Sequence, residues 1–172
     1  IDGVAGQLPN EANHNLAMVV SSGKRLSNLV NDILDFSKLK NRHLNLSIHP
    51  VDLYSLTEVV LTLSKPLVGS KPLELINGVA KNLPAALADE NRLQQILHNL
   101  VGNAIKFTDT GQVTVSAALS YTDDNQLTLS VADTGIGIEK VQLDNIFTSF
   151  EQIEGDIQRT QSGTGLGLSV SK

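Results

Sequence analysis

The sequence predicts an α+β fold: a two-layer α/β sandwich with helices on one face of a mixed sheet, preceded by a long helix belonging to a separate bundle. Three observations carry this. Small and apolar residues recur every three or four positions early in the chain, apolar residues then alternate in several short segments, and two capped helical patterns interleave with those segments. With 41% hydrophobic residues in 172, the chain can bury a core.

Leu16, Val19, Gly23, Leu26, Val30, Ile33 and Ser37 form a seam of threes and fours, so one long helix is expected between Asn10 and Asn41. Leu29, Leu34 and Phe36 widen its apolar face beyond a two-stranded seam, as in a four-helix bundle. Packing on the core of its own domain is the alternative for such an amphipathic helix, but length and placement favour the bundle. Pro9, followed by capping residue types, marks Ile1 to Gly6 as the end of a preceding helix that turns back, giving a partial helical hairpin. Lys38 to His43 is polar apart from Leu39, which places the domain boundary near residues 42–46: residues 1–43 in the hairpin, 44–172 in the second domain.

In that second domain, Leu44, Leu46 and Ile48 alternate toward Val51 and predict a strand. Asp52 caps a helix to about Val68, ended by Pro66 and Gly69. Leu73, Leu75 and Val79 predict a second strand, and Pro84 breaks the chain. Asp89 caps a helix that buries Leu93, Ile96, Leu97, Leu100, Val101 and Ile105. A turn at Thr108 to Gly111 precedes the alternation Val113, Val115, Ala117, Leu119, Tyr121. Asp123 to Asn125 then turn the chain, and Leu127, Leu129 and Val131 return as an antiparallel hairpin.

Charge and composition exclude several roles. The net charge of −5, with acidic and basic residues interspersed, leaves no basic stripe for a phosphate backbone, so no nucleic-acid partner is expected. Cysteine is absent, which rules out disulfides and thiolate metal sites and fits a reducing, cytoplasmic setting. No apolar run approaches the roughly 20 residues that span a bilayer, so this segment is expected to make no direct membrane contact, although a parent protein can be anchored elsewhere. Both ends read as cut: Ile1 begins in mid-pattern and a helix is only opening at Lys172.

Asn99 and Asn103 lie four apart on the helix after Asp89, with Lys106 three further along the same face. Amide oxygens are hard ligands suited to Mg²⁺, and the ammonium is a point charge for phosphates, so the three read together as a metal-triphosphate cradle. Alone, the asparagines would read as surface residues of an amphipathic helix. Asp133 ends a strand, where a carboxylate can accept a hydrogen bond from the adenine amine, while Gly135 and Gly137 let backbone approach a flat ring. Alone, that segment would be an ordinary turn. Gly163, Gly165 and Gly167 precede a new helix, whose N-terminus and loop N–H groups can hold phosphate oxygens. Neither a Rossmann βαβ unit nor a GKT-type phosphate loop surrounds them. Thr148 to Ser162 is long and polar, anchored by Phe147 and Phe150, and reads as a lid that holds Arg159 within reach of the terminal phosphate; alone, Arg159 would read as a solvated side chain.

In order, HNLVGNAIKFTD (His98 to Asp109), DTGIGI (Asp133 to Ile138), IFTSFEQ (Ile146 to Gln152) and SGTGLGLSVSK (Ser162 to Lys172) resemble the N, G1, F and G2 boxes of two-component sensor histidine kinases, within the GHKL superfamily. GKRLSNLVNDILDFSKLK (Gly23 to Lys40) is similar to the second helix of that family's dimerisation and phosphotransfer bundle, particularly in hybrid kinases. The resemblance implies the GHKL, or Bergerat-type, sheet and a kinase that passes the ATP γ-phosphate to a histidine, for relay to a response-regulator receiver domain. It implies ATP and Mg²⁺ as cofactors, with Asn99 and Asn103 on the metal and Lys106 on phosphate. Asp133 would take the adenine amine, and Gly135, Gly137, Ile138, Phe147, Arg159, Gly163, Thr164, Gly165, Leu166 and Gly167 would complete the nucleotide site. It also implies a homodimer through the seam from Leu16 to Ser37.

The family's acceptor block, His followed by an acidic residue and an Arg-Thr-Pro stretch, is absent, so none of His14, His43, His49 and His98 is expected to be the phosphoacceptor. The family pattern would also place two further strands after Lys172, leaving a bare sheet edge and poor solubility without them. Two other functions compete. A GHKL ATPase of the gyrase or chaperone kind needs a Glu one turn before the metal-binding Asn, where this chain has the amide Asn99, which cannot act as base. A non-enzymatic ATP-binding or dimerisation scaffold is disfavoured by four intact boxes.

Overall fold

The computed structural model describes residues 6, 8–40, 45–120 and 126–143, and of positions 24, 25, 28, 29 and 31–40 it describes the helix alone. Contacts divide the chain into two compact units, Ile1–Leu44 and Asn45–Lys172. The first contains α1, Asn10–Lys40, which begins immediately after Pro9 with the Asn13 N–H donating to the Pro9 carbonyl at 3.0 Å. Leu16, Val19, Leu26 and Val30 of the expected seam are exposed, an apolar stripe that the described residues leave uncovered. Of Ile1 to Gly6, the expected end of a preceding helix, residues 1–5 lie outside the described residues.

The second unit runs β1 (His49–Val51), α2 (Leu53–Val68), β2 (Leu73–Asn77), β3 (Ala86–Ala88), α3 (Glu90–Phe107), β4 (Gly111–Leu119), β5 (Leu127–Asp133) and a single 3₁₀ turn, Lys140–Gln142. Both main helices start where an aspartate can cap them. Asp52 accepts the N–H groups of Tyr54 and Ser55, and Asp89 that of Arg92, satisfying donors a helix start leaves unpaired. The described sheet is mixed, in the order β2–β4–β5: β2 runs parallel to β4, with Leu75 opposite Val113, and β4 antiparallel to β5, with Val115 opposite Val131. Strands β1 and β3 form a separate antiparallel pair.

The helices pack together and onto the sheet. Val60 of α2, Leu97, Val101 and Ile105 of α3, and Val113 and Val115 of β4 form the centre of the core, each at most 2% exposed. Leu97, Val101, Ile105, Val113 and Val115 are helical and alternating positions the periodicity marks; Val60 and Ala104 join them. Among the described residues no helix is long and apolar enough to cross a membrane.

Four local expectations need correction. The first strand is only His49–Val51, not Leu44 to Val51, because its partner offers three residues and Leu46 and Ile48 are exposed. That partner, β3, went unrecognised behind Pro84. The second strand stops at Asn77, although the Gly78 N–H still donates to the Val115 carbonyl at 2.8 Å and Val79 is buried. Pro66 does not end α2: it and Thr62, whose carbonyl loses the backbone bond, are both exposed, so water can serve that carbonyl. Gly69, at φ 59°, ends the helix instead. Tyr121 and the Asp123 to Asn125 turn lie outside the described residues.

Candidate nucleotide-binding site

Helix α3 carries Asn99, Asn103 and Lys106 along one half-buried face over its last two and a half turns. Lys106 stands in the final turn with its Nζ 4.9 Å from the centroid of the Phe107 ring. Burial pushes its ammonium below the ordinary lysine pKa, so an approaching anion would recover part of what desolvation costs.

Strand β5 delivers Asp133 to the same end of α3. Asp133 pairs with Val113 as the last residue of the ladder. Its Oδ1 accepts the Gly135 N–H at 2.9 Å, an Asx turn, and lies 3.5 Å from the Thr108 hydroxyl. Both of these bonds use Oδ1, which leaves Oδ2 of this exposed carboxylate as an acceptor for an amine. Thr134 latches the strand end: its N–H donates to the Gln112 carbonyl at 3.2 Å and its hydroxyl accepts the Gln112 N–H at 3.0 Å. Gly111, at φ 112°, makes room for that hydroxyl, which a Cβ there would strike.

The loop after Asp133 lies directly on the helix end. The Ile136 N–H donates to the Phe107 carbonyl at 3.3 Å, and a Cβ on Gly135 would collide with that oxygen and reach within 2.8 Å of both Asp133 Oδ1 and Thr108 Oγ1. Only glycine permits this contact. Gly137, at φ 71°, has open space around its missing Cβ, and Ile136 and Ile138 beside it are 67% and 47% exposed. Backbone without side chains, flanked by exposed apolar groups and ending at a carboxylate, is a surface suited to a flat heterocycle with an amine.

Lys71 secures the same helix end from the other side. Its Nζ donates to the carbonyls of Ile105 (2.8 Å), Thr108 (3.0 Å) and Lys106 (3.3 Å), and lies 3.2 Å from Asp109 Oδ1. Sequence reading missed this residue, because a contact across more than thirty positions leaves no local signature. Thr108 and Thr134 were passed over as turn residues; their Thr-x-Thr-Gly and Asp-Thr-Gly settings were the available signal.

The structure thus brings together Lys106, Asp133, Gly135 and Gly137, with Asn99 and Asn103 on the preceding turns of α3. Phe147, Arg159, Gly163, Thr164, Gly165, Leu166 and Gly167 lie outside the described residues. Neutral amides and one ammonium suit a metal that arrives with phosphates, since they add no anionic ligand of their own. A surface hollow of about 170 Å³ lies elsewhere, at the N-terminal ends of α2 and α3, lined by Asp52, Ser55, Val59, Glu90 and Gln94. It is at the opposite end of α3, where Glu90 stands about 24 Å of helix away from Lys106, and has no part in this chemistry.

Residues 88–172 match the family described as histidine kinase-, DNA gyrase B-, and HSP90-like ATPase. Through this segment the chain belongs to that ATPase family. Sensor protein GacS of Pseudomonas syringae pv. syringae is 41% identical over 160 residues, covering 91% of this chain and 18% of GacS. Hybrid signal transduction histidine kinase L of Dictyostelium discoideum is 37% identical over 168 residues, covering 96% of this chain and 10% of that protein. The chain therefore spans less than a fifth of these curated relatives. The crystal structure of full-length ShkA in complex with AMPPNP superimposes with a TM-score of 0.80 at 37% identity, over 96% of this chain and 34% of ShkA. The α+β arrangement is accordingly the fold of histidine kinase catalytic domains. In this histidine-kinase ATPase domain, every residue of the candidate site falls within the matched 88–172 segment, whereas α1 precedes it.

Proposed function

We propose that this chain is the ATP-binding catalytic module of a hybrid sensor histidine kinase, together with part of its dimerisation and phosphotransfer bundle, divided as residues 1–43 and 44–172. The observation that supports this most is the seating of the Asp133–Gly137 loop on the end of α3, through the Ile136 N–H to the Phe107 carbonyl. It joins the loop of Asp133 to the helix end of Lys106, which supports reading the one as acceptor for the adenine amine and the other as a cation for phosphate.

In this reading Asp133 Oδ2 accepts from the adenine amine, and Ile136 and Ile138 line the ring. Lys106 holds phosphate oxygens, and Asn99 and Asn103 hold Mg²⁺ through their amide oxygens. Phe147, Arg159 and the loop of Gly163, Thr164, Gly165, Leu166 and Gly167 enclose the nucleotide. ATP supplies the γ-phosphoryl group and Mg²⁺ neutralises its charge. The protein's task is to place that phosphorus in line with a histidine contributed from outside this chain, since phosphoryl transfer is governed by positioning and charge. Relay to a receiver-domain aspartate follows in the complete, cytoplasmic signalling protein. The exposed stripe Leu16, Val19, Leu26, Val30 supports a homodimer through the seam from Leu16 to Ser37.

Calorimetric titration with ATP, with and without Mg²⁺, tests the site on this chain and on Asp133→Asn, with circular dichroism to confirm folding. An amide presents its own donors beside the adenine amine, so affinity is expected to fall by about 30-fold or more in the variant. Equal binding by both would remove Asp133 from the site. For the complete protein, absence of phosphate transfer from labelled ATP to any histidine would favour a binding scaffold instead.

A further inference from the structure

We propose that Lys71, at the foot of β2, is a positioning residue of the nucleotide site: it fixes the last turn of α3 so that the Phe107 carbonyl meets the Asp133–Gly137 loop. This rests on the nucleotide reading above for what the site binds, but the clasp itself stands on contacts within this chain.

A helix leaves its last four carbonyls without intrahelical partners, and a glycine in the left-handed region commonly closes the end by folding N–H groups back onto them. Here the residue after the helix is Thr108 in an extended conformation (φ −115°, ψ 118°), which cannot do so. The carbonyls are satisfied from two other segments. Ile105 and Lys106 give theirs to the Lys71 ammonium, together with Thr108 beyond the helix, while Phe107, between them, gives its own to the Ile136 N–H. Neighbouring carbonyls of one turn are therefore shared between Lys71 and the loop, and the direction of one sets the direction of the other. The next residue adds a second tie, as the Pro72 carbonyl accepts the Gly111 N–H at 3.0 Å where β2 joins β4.

Charge gives a second reason for an ammonium here. The C-terminus of a helix carries a partial negative charge and disfavours anions. In this fold that terminus meets Asp133 and, in the proposed complex, phosphate. The Lys71 ammonium, three-quarters buried and held by three carbonyls, offsets that charge where Lys106 alone would have to. Its contact with Asp109 is at the edge, since the aspartate is 85% exposed, and contributes little.

The experiment is residue-resolved amide hydrogen exchange by NMR on this chain, on Lys71→Met and on Asp109→Asn, with ATP titration of each. Lys71→Met keeps the stem and removes the donors. The Ile136 amide is expected to exchange about tenfold faster or more, with ATP affinity reduced about tenfold, while amides of the β4–β5 ladder keep their protection. Asp109→Asn is expected to leave both within about twofold. Should Lys71→Met not fold, Lys71→Gln, which keeps two donors without the charge, takes the same measurements. Ile136 exchange unchanged in a folded Lys71 variant, or raised only as much as that of the whole ladder, overturns the proposal. If the unmodified chain takes no ATP, the nucleotide reading fails and exchange at Ile136 alone judges the clasp.

Discussion

Replacing Gly135 by alanine is the sharpest perturbation this structure allows, because one methyl group meets three oxygens. The new Cβ would strike the Phe107 carbonyl oxygen and lie 2.8 Å from both Asp133 Oδ1 and Thr108 Oγ1, where ordinary contact begins at 3.4 Å. The loop must retreat by at least about 0.6 Å to relieve the two longer contacts, and further for the carbonyl. The Ile136 N–H···O=C Phe107 bond, already 3.3 Å long, then passes out of hydrogen-bonding range. The Gly135 N–H to Asp133 bond, at 2.9 Å, is bent as Asp133 moves with the loop. Two weakened bonds at a partly exposed site are together worth about 2 kcal/mol, which corresponds to about 30-fold in ATP affinity if binding needs the native loop. Calorimetry with ATP and Mg²⁺ measures the affinity, and circular dichroism melts report the fold, whose core lies on the other faces of α3 and β4 and is expected to hold. Gly137→Ala tests the other half of the loop: it meets no atom of the described residues within 4 Å and bears the strain of φ 71°, about 1 kcal/mol, so any larger loss of affinity there reports contact with the nucleotide itself. A Gly135→Ala chain that binds ATP as tightly as the unmodified chain would refute the claim that this loop must touch the end of α3.

Other outcomes follow from the same geometry. Gly102→Ala adds a methyl to α3 where nothing lies within 4 Å, and is expected to stabilise the chain by about 0.5–1 kcal/mol in chemical denaturation without weakening ATP binding. His49 sits between two acceptors, the Ser47 carbonyl at 3.0 Å and the Glu90 carboxylate at 3.4 Å, which raise its pKa above the ordinary 6.5, the carbonyl first. Its contribution is fully present below about pH 6.5 and lost as pH rises through the raised folded value, so Glu90→Gln should lower the His49 pKa in an NMR titration and shift that loss to lower pH. At the acid end, Asp52 is held below 3.8, chiefly by the Ser55 hydroxyl, and Asp89 chiefly by the Ser47 N–H. Their stabilisation is present above that value and lost as pH falls through the folded pKa values, and melts of Asp89→Ala should depend less on pH between about 5 and 3 than those of the unmodified chain.

Elements whose signal is local were legible before any coordinates. The caps Asp52 and Asp89 sit where a helix start needs an oxygen acceptor, the α3 face of Leu97, Val101 and Ile105 follows helical spacing, and Val113 and Val115 follow strand alternation. Asn99, Asn103 and Lys106 share a face for the same reason, and Gly135 announces a close backbone approach. The failures were of another kind. The strand ending at Val51 was drawn too long because its length is set by β3, a three-residue partner 37 positions later. Pro66 was given the power to end a helix that it lacks where the orphaned carbonyl faces water.

What the sequence determined by itself was therefore most of the inventory: the main helices and the longer strands, their apolar faces, and the candidate side chains for a nucleotide site. Periodicity, capping and glycine placement act over a few residues, and a few residues suffice to read them. Only the tertiary structure decided how the two halves of the site meet. Lys71 takes the carbonyls of Ile105 and Lys106, the Ile136 N–H takes that of Phe107, and Thr134 latches onto Gln112. Each of these bonds joins groups more than twenty residues apart, and a pairing of that kind is fixed by how the sheet and helices stack, not by anything written beside either partner.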